Sequence, residues 1–492
     1  MKKLALSLFP VVFCLLLPLF LVGCGETEVK QVSEYSLDIT MAEDCKSLSA
    51  VEQINYVNNS ENSLKEIRFH LYANAFREGA KSSPVSASEK SEAYPNGDSF
   101  GQIDIKNVYY SQGNLDFQIG GEDYNILIVA LPEELFPEEI FSLSIDFEVT
   151  LANVHHRLGY GDNTVNCANF YPIACVYKEG EGWSESLYHS NGDTFYSDVA
   201  NYDVKITYPS SYSLASTGKV TNQEEGEESV AHIEANLVRD FAFVLSQKFD
   251  KVSQTVGDVT VTYYGYVGDQ NLNSCLDTSV KAFQYFCKKF GSYPYQNLSI
   301  VKSNFVYGGM EFPNLVLISD DCNQQNDYDY VIVHEIAHQW WYGLVGNDEY
   351  NYAWQDESLT EFSTWLFFKD NSGYGLDYNA LVENATNSYK YFVKVYTQIL
   401  GSVDTSIERP LDQFETQPEY AQCVYTKGTL MFATLQEMVG EKKMNRAMRS
   451  YFEKFVYQNP SPADLIATFN KATGYNLEGF FRSWLDGKVI IE

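Results

Sequence analysis

The sequence predicts an α+β protein in which a β-sandwich-like N-terminal domain precedes a mostly helical C-terminal domain. Between residues 34 and 265, short segments alternate apolar and polar side chains, which is typical of half-buried strands. From residue 266 onward, most apolar residues recur at the three-to-four-residue spacing of helices. The chain has 492 residues and is 45 % hydrophobic, so it is too long for one core and apolar enough for two.

The first residues belong to neither predicted domain. Lys2 and Lys3 precede an apolar run that ends in Leu21-Val22-Gly23-Cys24, and this is the pattern of a secretory signal. The last four of these residues resemble the lipobox of bacterial lipoproteins. We therefore predict a signal peptide at 1–23, acylation of the Cys24 thiol and a lipidated tether at 24–33. The predicted location is extracytoplasmic, anchored to the cell membrane, and a plain transmembrane anchor is the alternative.

The predicted N-terminal domain, residues 34–265, consists of strands separated by turns rich in Asn, Gly, Ser and Asp. Its strand segments are YSLDITMA, EQINYV, EIRFHLYA, ILIVALP, FSLSIDFEV, YDVKITYP and VTVTYYGYV. Alternation with a period of two places one face of each strand on a core and the other in water. Several such strands in succession predict packed sheets.

The predicted C-terminal domain, residues 266–492, begins with a helix and a small sheet. NLNSCLDTSVKAFQYFCKKFG has helical spacing, whereas LSIVKSNFV and NLVLIS are typical of buried strands. Helices are then predicted around the HEIAH motif, at 356–369 and 378–400, and in pieces over 427–457 and 461–485. No internal repeat interrupts this order.

The segment HEIAH carries the strongest chemical signal. His334 and His338 are four residues apart and so lie on one face of a helix, where both imidazoles can reach one metal ion. Glu357 follows nineteen residues after His338 and offers an oxygen ligand from a second helix. A His2Glu set with an open fourth position predicts one Zn2+ per chain, although cobalt or manganese could also occupy it.

Two glutamates near these ligands have predicted roles in the same chemistry. Glu335 lies beside the open position, where a carboxylate can take a proton from a metal-polarised water and later deliver it to a leaving amine. Glu361, one helical turn after Glu357, can accept a hydrogen bond from a ligand histidine. A solvated helix face explains Glu361 equally well. Apolar residues on both sides of the motif predict that its helix is buried.

HEIAHQWWYGLVG followed by WQDESLTEF resembles the zinc aminopeptidases of the aminopeptidase N (alanyl aminopeptidase) family, in a short bacterial lipoprotein form. YGGMEFPNLV at 307–316 is similar to that family's Gly-x-Met-Glu-Asn segment, and VYTKG at 424–428 to its tyrosine motif. FHLYANAF and FYSDVANYDVKITYP resemble its amino-terminal domain. The resemblance implies a thermolysin-like catalytic domain over residues 266–492.

The resemblance also implies substrate-binding residues. Glu311 would hold the free amino terminus of a peptide, and the Tyr425 hydroxyl would donate to the tetrahedral oxyanion. Gly308 and Gly309 begin an irregular edge strand, where backbone groups can pair with a substrate peptide at close approach. Phe312 replaces the family's asparagine, so any contact made by that amide is absent.

Charge and cysteine usage narrow the possible partners. A net charge of −32 argues against nucleic acid and against anionic headgroup surfaces, since both would repel the chain. The nine cysteines include Cys14 in the signal and Cys24, and the remaining odd number contains no CxxC. A disulfide framework is therefore not expected, and Cys167 with Cys175 is the one close pair worth testing.

Together these features predict a zinc-dependent aminopeptidase that removes N-terminal residues from peptides by metal-activated attack of water. Its predicted partners are peptides with a free amino terminus and, through the lipid anchor, the membrane. A zinc endopeptidase or an epoxide hydrolase is an alternative, because Phe312 weakens the exopeptidase signature. A peptide-binding surface lipoprotein without catalytic activity is another, although it would have no need of Glu335.

Overall fold

A computed structural model of the protein describes residues 31–322 and 324–491. The predicted signal peptide, the predicted lipidation site at Cys24 and most of the predicted tether lie outside the described residues. Within the described ranges, no helix combines the length and apolar character needed to cross a membrane. The seven cysteines of these ranges, Cys167 and Cys175 among them, are all free thiols.

From residue 31 to the end of the sandwich, the described part of the chain contains eighteen strands and one short α-helix. The strands are β1 (Ser33–Met41), β2 (Ser47–Val57), β3 (Leu64–His70), β4 (Gln102–Tyr110), β5 (Gly113–Asn114), β6 (Phe117–Gly120), β7 (Ile126–Leu135), β8 (Ile140–Thr150), β9 (Leu158–Tyr160), β10 (Val165–Cys167), β11 (Ile173–Ala174), β12 (Tyr177–Lys178), β13 (Gly182–Trp183), β14 (Ala200–Pro209), β15 (Ser213–Ser216), β16 (Lys219–Glu225), β17 (Glu228–Val238) and β18 (Phe243–Ser246). Helix α1 is Lys90–Ala93, and a 3₁₀ turn covers Tyr72–Phe76.

One large sheet dominates this domain, in the order β16-β17-β14-β1-β2-β8-β4-β5. Two four-stranded sheets, β15-β18-β10-β9 and β11-β3-β7-β6, contribute apolar side chains to the same core. In β1 the alternating residues Tyr35, Leu37, Ile39 and Met41 are buried, as the period-two pattern predicts. The β-sandwich-like prediction is confirmed.

A separate five-stranded sheet begins the C-terminal domain, in the order β19-β20-β21-β23-β22. These strands are β19 (Phe249–Val256), β20 (Val259–Tyr266), β21 (Asn297–Ser303), β22 (Gly309–Met310) and β23 (Leu315–Ser319). The domain boundary predicted between residues 265 and 266 therefore falls within this sheet, at the end of β20. Alternation marked β20 as a strand but carried no information about which sheet it joins.

The helical lobe closely follows the predicted ranges. Its helices are α2 (Leu272–Lys289), α3 (Gln325–Ala337), α4 (Glu349–Tyr352), α5 (Trp354–Asp370), α6 (Tyr378–Leu400), α7 (Gln417–Tyr420), α8 (Gly428–Val439), α9 (Glu441–Phe455), α10 (Pro462–Thr473) and α11 (Glu478–Leu485). A π-helix covers Ala421–Lys427, and 3₁₀ turns cover Ser372–Tyr374 and Leu411–Gln413. A second apolar core joins the small sheet to α2, α3 and α5.

A buried arginine fastens the sandwich domain to the loop that follows α3. Arg239 Nε donates to the Tyr342 carbonyl at 2.6 Å, and its Nη2 donates to the Gln458 carbonyl at 2.8 Å. A Cβ at Gly346 would lie 2.2 Å from the guanidinium carbon, so only glycine leaves room for this contact. Tyr342 itself has φ of 114°, an unfavourable conformation that these domain contacts hold in place.

Candidate metal centre

Helix α3 presents its two histidines from within the protein core. Its N-terminus is closed by a capping box in which Gln324 and Asp327 each accept from the other's backbone N–H. Ile332, Val333 and Ile336 are fully buried, which fixes the helix against the sheet and α5. The buried flanks predicted for the HEIAH motif are therefore present, apart from the partly exposed Val331 at the cavity.

The three predicted metal ligands converge. Nε2 of His334 and Nε2 of His338 lie 3.2 Å apart. Glu357 Oε2 lies 3.2 Å from His338 Nε2 and 3.5 Å from His334 Nε2. A tetrahedral ion with bonds of about 2.0–2.1 Å holds its ligand atoms about 3.3 Å from one another. The observed triangle of donor atoms therefore fits a zinc ion.

Hydrogen bonds fix the orientation of both imidazoles. His334 Nδ1 lies 2.9 Å from Glu361 Oε2, and His338 Nδ1 lies 2.9 Å from the Trp341 carbonyl. Because these acceptors require a proton on Nδ1, the Nε2 lone pairs are left to face Glu357. Glu361 is held in turn by the Tyr330 hydroxyl and by Trp365 Nε1. Its predicted role as an acceptor for a ligand histidine agrees with this arrangement.

The charge state of Glu357 suits a metal ligand. Burial alone would raise its pKa, but the neighbouring His338 and His334 outweigh this and hold the pKa well below its usual range. The carboxylate is 4 % exposed, so an anion and two imidazoles are kept together away from water. Such a set is costly to bury unless a cation compensates it.

Glu335 lies on the adjacent position of α3, facing the edge of the small sheet. Burial raises the pKa of its carboxyl to about 7. A Cβ at Gly309 would lie 2.4 Å from Glu335 Oε1, so glycine lets the strand pass close to this carboxylate without displacing it. Oε2 of Glu335 has no hydrogen-bond partner among the described residues.

The predicted edge strand is present as β22. It pairs antiparallel with β23 through Gly309 and Ile318, and its other side is the edge of the sheet. Gly308 and Gly309 both line a cavity of about 390 Å³ that also contains His334, Glu335 and Tyr425. Backbone groups on this edge are therefore placed for pairing with an extended peptide.

Glu311 follows β22 in a turn that is braced by Gln339, which lies just after the end of α3. Gln339 Nε2 donates to the carbonyls of Glu311 and Phe312, and its Oε1 accepts from the backbone of Asn314. Burial raises the pKa of the Glu311 carboxyl well above its usual value, so a cation beside it would stabilise the charged form. The Phe312 ring is fully buried in the sandwich core and is not part of the lining of the cavity described above.

Tyr425 reaches the metal ligands from the π-helix. Its hydroxyl donates to Glu357 Oε1, and its ring centroid lies 6.0 Å from that of His334. The first residue of α8, directly after the π-helix, packs closely on α5: a Cβ at Gly428 would lie 2.0 Å from Ser358 Oγ. Ser358 Oγ also donates to the Val424 carbonyl at 2.7 Å. A single π-helical turn at this point directs the phenol into the site.

Asp193 is a site residue that the sequence analysis did not identify. It lies in the loop between β13 and β14 of the sandwich domain and forms a partly buried ion pair with Arg157. Its carboxylate lies within 4.8 Å of carboxylate oxygens of Glu311 and Glu357. No motif marks the segment SNGD, and only the fold brings it to the catalytic domain.

The cavity over the metal ligands is shared by the two domains. The sandwich domain contributes Pro84, Arg157 and residues 188–193, and the catalytic domain contributes β22, α3 and the π-helix. Asn191 crosses the interface, since its Nδ2 donates to the carbonyls of Leu411 and Phe414. The site is therefore a cleft whose two walls come from different domains.

Comparison with protein families finds a match in the second half of the chain. The model of the peptidase family M1 domain matches residues 274–484. An aminopeptidase M1-B of Oryza sativa subsp. japonica is 25 % identical over 264 residues, which cover 48 % of this chain and 28 % of that protein. An aminopeptidase N of Lactococcus lactis subsp. lactis is 24 % identical over 268 residues, covering 50 % and 30 %. The matches therefore span less than a third of these relatives.

A solved structure shares the whole two-domain fold. An M1 zinc metallopeptidase from Deinococcus radiodurans superimposes with a TM-score of 0.65 at 17 % sequence identity. The superposition covers 93 % of this chain and 94 % of that one. The sandwich domain thus occurs with the metal-binding domain in another protein of similar size.

Proposed function

Since residues 274–484 match the model of the peptidase family M1 domain, we propose that the protein is a zinc-dependent aminopeptidase that removes residues from the free amino terminus of peptides. The observation that carries the proposal is the His334, His338 and Glu357 triangle, with Glu335 and an open edge strand beside it. This arrangement places three metal ligands, a base and a backbone template within one cleft.

His334, His338 and Glu357 would hold the ion. When bound, zinc polarises a water molecule and the scissile carbonyl, and so lowers the cost of forming the nucleophile and the oxyanion. Glu335 takes the proton of the attacking water and returns it to the leaving amine. A carboxyl whose pKa lies near neutrality suits both transfers.

The Tyr425 hydroxyl stabilises the negative charge that develops on the substrate oxygen. In the structure it donates to Glu357, one of the metal ligands, so it already lies beside the reacting position. Only the hydroxyl hydrogen bond has to turn from Glu357 to the oxyanion when the charge appears, and the ring stays in place. Tyr425 is therefore assigned to the oxyanion rather than to the core.

Recognition of the amino terminus rests on two carboxylates. Glu311 and Asp193 lie within 4.8 Å of each other beside the metal ligands. An ammonium placed between them gains charge-assisted hydrogen bonds that an acetylated terminus cannot make. This pair favours an exopeptidase over the endopeptidase alternative, and the buried Phe312 leaves it undisturbed.

We also propose that the enzyme is extracytoplasmic and tied to the membrane through acylated Cys24. The lipobox-like sequence before Cys24 supports this. Metabolic labelling with a radioactive fatty acid tests it: wild type should carry label in the membrane fraction and Cys24→Ala should lose it. Label that persists in Cys24→Ala, or wild type without label, would contradict lipidation.

The activity is tested with one peptide in two forms, with a free and with an acetylated amino terminus. Release of the first residue should occur only from the free peptide, stop on chelation and return with zinc. Zinc content should be one ion per chain before chelation, measured by atomic emission. Equal cleavage of both peptides would indicate an endopeptidase, and zinc binding without cleavage of either would contradict catalysis.

A further inference from the structure

Three side chains around one loop of the sandwich wall carry hydrogen-bond donors that the proposed chemistry does not use. They are Arg157, His189 and Tyr420, and all three line the cavity over the metal ligands. The loop, residues 189–193, begins with His189 and ends with Asp193, the ion-pair partner of Arg157. Donors gathered in a cavity indicate a ligand that carries acceptors.

Arg157 offers more donors than its ion pair uses. Its Nη1 donates to Asp193, whereas its Nε has no hydrogen-bond partner among the described residues. The guanidinium carbon lies 4.9 Å from the ring centroid of Phe195, 5.9 Å from that of Phe305 and 6.0 Å from that of Tyr188. These rings hold the guanidinium in place, and its five N–H groups leave room for a second carboxylate.

Tyr420 contributes a buried hydroxyl that has no partner among the described residues. The side chain is 2 % exposed. Burial raises the pKa of this phenol well above its usual value, so it keeps its proton and can donate it in a hydrogen bond. A Cβ at Gly192 would lie 2.5 Å from the hydroxyl oxygen, so the hydroxyl lies against the loop. A buried hydroxyl is costly unless a ligand satisfies it.

His189 is a neutral donor at the start of the same loop. Its Nδ1 accepts from the Asn191 N–H at 3.1 Å, which places the proton of a neutral ring on Nε2. Burial lowers the pKa of His189 although Asp412 opposes this, so the neutral form is favoured. The Asn191 side chain fixes the loop by donating to the carbonyls of Leu411 and Phe414.

The carboxylates among the residues that line this cavity are already engaged. Asp193 pairs with Arg157. Glu361 accepts hydrogen bonds from a tyrosine and a tryptophan, and Glu335 is the proposed base. No carboxylate of the described lining is therefore left to serve the unused donors.

We propose that Arg157, His189 and Tyr420 form the pocket for the side chain of the first residue, and that this pocket takes a carboxylate. The enzyme then prefers peptides that begin with glutamate or aspartate. A carboxylate accepts several hydrogen bonds, and those from a guanidinium are charge-assisted. Charges alternate from Glu311 through the substrate ammonium, Asp193 and Arg157 to the substrate carboxylate. The identity of the first residue rests on the proposed function.

An apolar first residue would cover the three donors without satisfying them, and a site built for hydrogen bonds discriminates strongly against such a substrate. Turnover of Glu-Ala-Ala, Gln-Ala-Ala and Leu-Ala-Ala tests this, because the three first residues are similar in size. We expect kcat/KM to be about 10–100-fold higher for Glu-Ala-Ala than for Leu-Ala-Ala, with Gln-Ala-Ala between them. An equal or higher value for Leu-Ala-Ala would overturn the pocket.

The assay contains 0.15 M NaCl. The net charge of −32 repels acidic peptides, and salt at this concentration screens that repulsion beyond about 8 Å. The contact between a buried guanidinium and a carboxylate is screened much less. The measured preference then reports the pocket rather than the charge of the whole chain.

Two conservative variants assign the preference to named side chains. Tyr420→Phe removes only the hydroxyl, and His189→Phe replaces the imidazole by an apolar ring. Each should lower kcat/KM for Glu-Ala-Ala about tenfold and leave Leu-Ala-Ala unchanged. Tyr475→Phe is the matched control, because that tyrosine is 44 % exposed and is not part of the cavity lining. An equal loss for both peptides would show a structural role and overturn the pocket.

Binding of the α-amides of glutamate and leucine to the zinc-loaded protein, measured by calorimetry, does not depend on cleavage. The glutamate amide should bind about 10–100-fold more tightly, and equal affinities would overturn the pocket. If Leu-Ala-Ala is cleaved best, the pocket is refuted and the aminopeptidase proposal stands. If no peptide is cleaved but the glutamate amide binds more tightly, the aminopeptidase proposal is refuted and the pocket stands.

Discussion

The two walls of the cleft differ in how they are built and in what they contribute. The catalytic wall carries the metal ligands and Glu335 on α3 and α5, two buried helices packed against each other. The sandwich wall carries Asp193 and Arg157 on connecting segments between strands. Rigid helices suit groups that must hold a metal within tenths of an ångström, and loops suit groups that select a substrate.

The comparison separates chemistry from recognition. Substitutions on the catalytic wall should lower kcat, because they remove interactions made only in the transition state. Substitutions on the sandwich wall should raise KM for peptides with a free amino terminus more than they lower kcat. Four substitutions, from the largest expected effect to the smallest, can break or sharpen this division.

Glu335→Gln should lower kcat by about 10²–10⁴-fold or more, because both proton transfers lose their carboxylate. Steady-state release of the first residue measures the effect. Zinc content should stay at one ion per chain, since Glu335 is not a ligand. Full hydrolysis by this variant would remove our assignment of the base.

Tyr425→Phe should lower kcat by about 10²–10³-fold, the usual effect of one oxyanion donor, with KM nearly unchanged. Tyr391→Phe is a matched control, because that tyrosine is 70 % exposed on α6. An equal loss of kcat in Tyr425→Phe and Tyr391→Phe would show that the effect does not come from the oxyanion.

Asp193→Asn should lower kcat/KM for free-amine peptides by about 10–100-fold, mainly through KM, as one charge-assisted hydrogen bond is lost. Cleavage of acetylated peptides should not change. Asp203→Asn, at an exposed position of β14, removes the same charge without touching the cleft. If Asp193→Asn changed kcat alone, the sandwich wall would belong to the chemistry as well.

Arg239→Lys should lower the free energy of unfolding by about 1–3 kcal/mol, because a lysine cannot reproduce the guanidinium's hydrogen bonds to carbonyls on both sides of the interface. Urea unfolding monitored by tryptophan fluorescence measures this. Arg449→Lys, at a half-exposed side chain, is the control. Equal stability of both variants would mean that Arg239 does not fasten the domains.

Local sequence rules predicted the catalytic wall and missed the sandwich wall. Spacing within one helix identified His334 and His338, and a second helix in the expected place supplied Glu357. Asp193 lies 118 residues before Glu311 and 164 before Glu357 in the printed sequence, and no spacing rule connects such distances. Its place in the cleft depends on how the sandwich packs against the small sheet.

The pairing of the strands likewise depends on tertiary structure that local sequence patterns do not predict. Alternation located most of them, yet β19 and β20 join the catalytic sheet rather than the sandwich, because β20 pairs in parallel with β21.

The burial of Glu349 is another feature that the sequence does not predict. A glutamate at the start of a short helix predicts a solvated residue, whereas the structure buries it beside Asp356. Tertiary packing decides such positions.

The most direct test of the account is the ratio of kcat/KM for a free-amine peptide to that for its acetylated form, in wild type and in Glu311→Gln. We predict a large ratio in wild type that falls by about 10–100-fold in the variant, with zinc content unchanged. A ratio near one in wild type, or one that Glu311→Gln leaves unaltered, would contradict recognition of the amino terminus by this cleft.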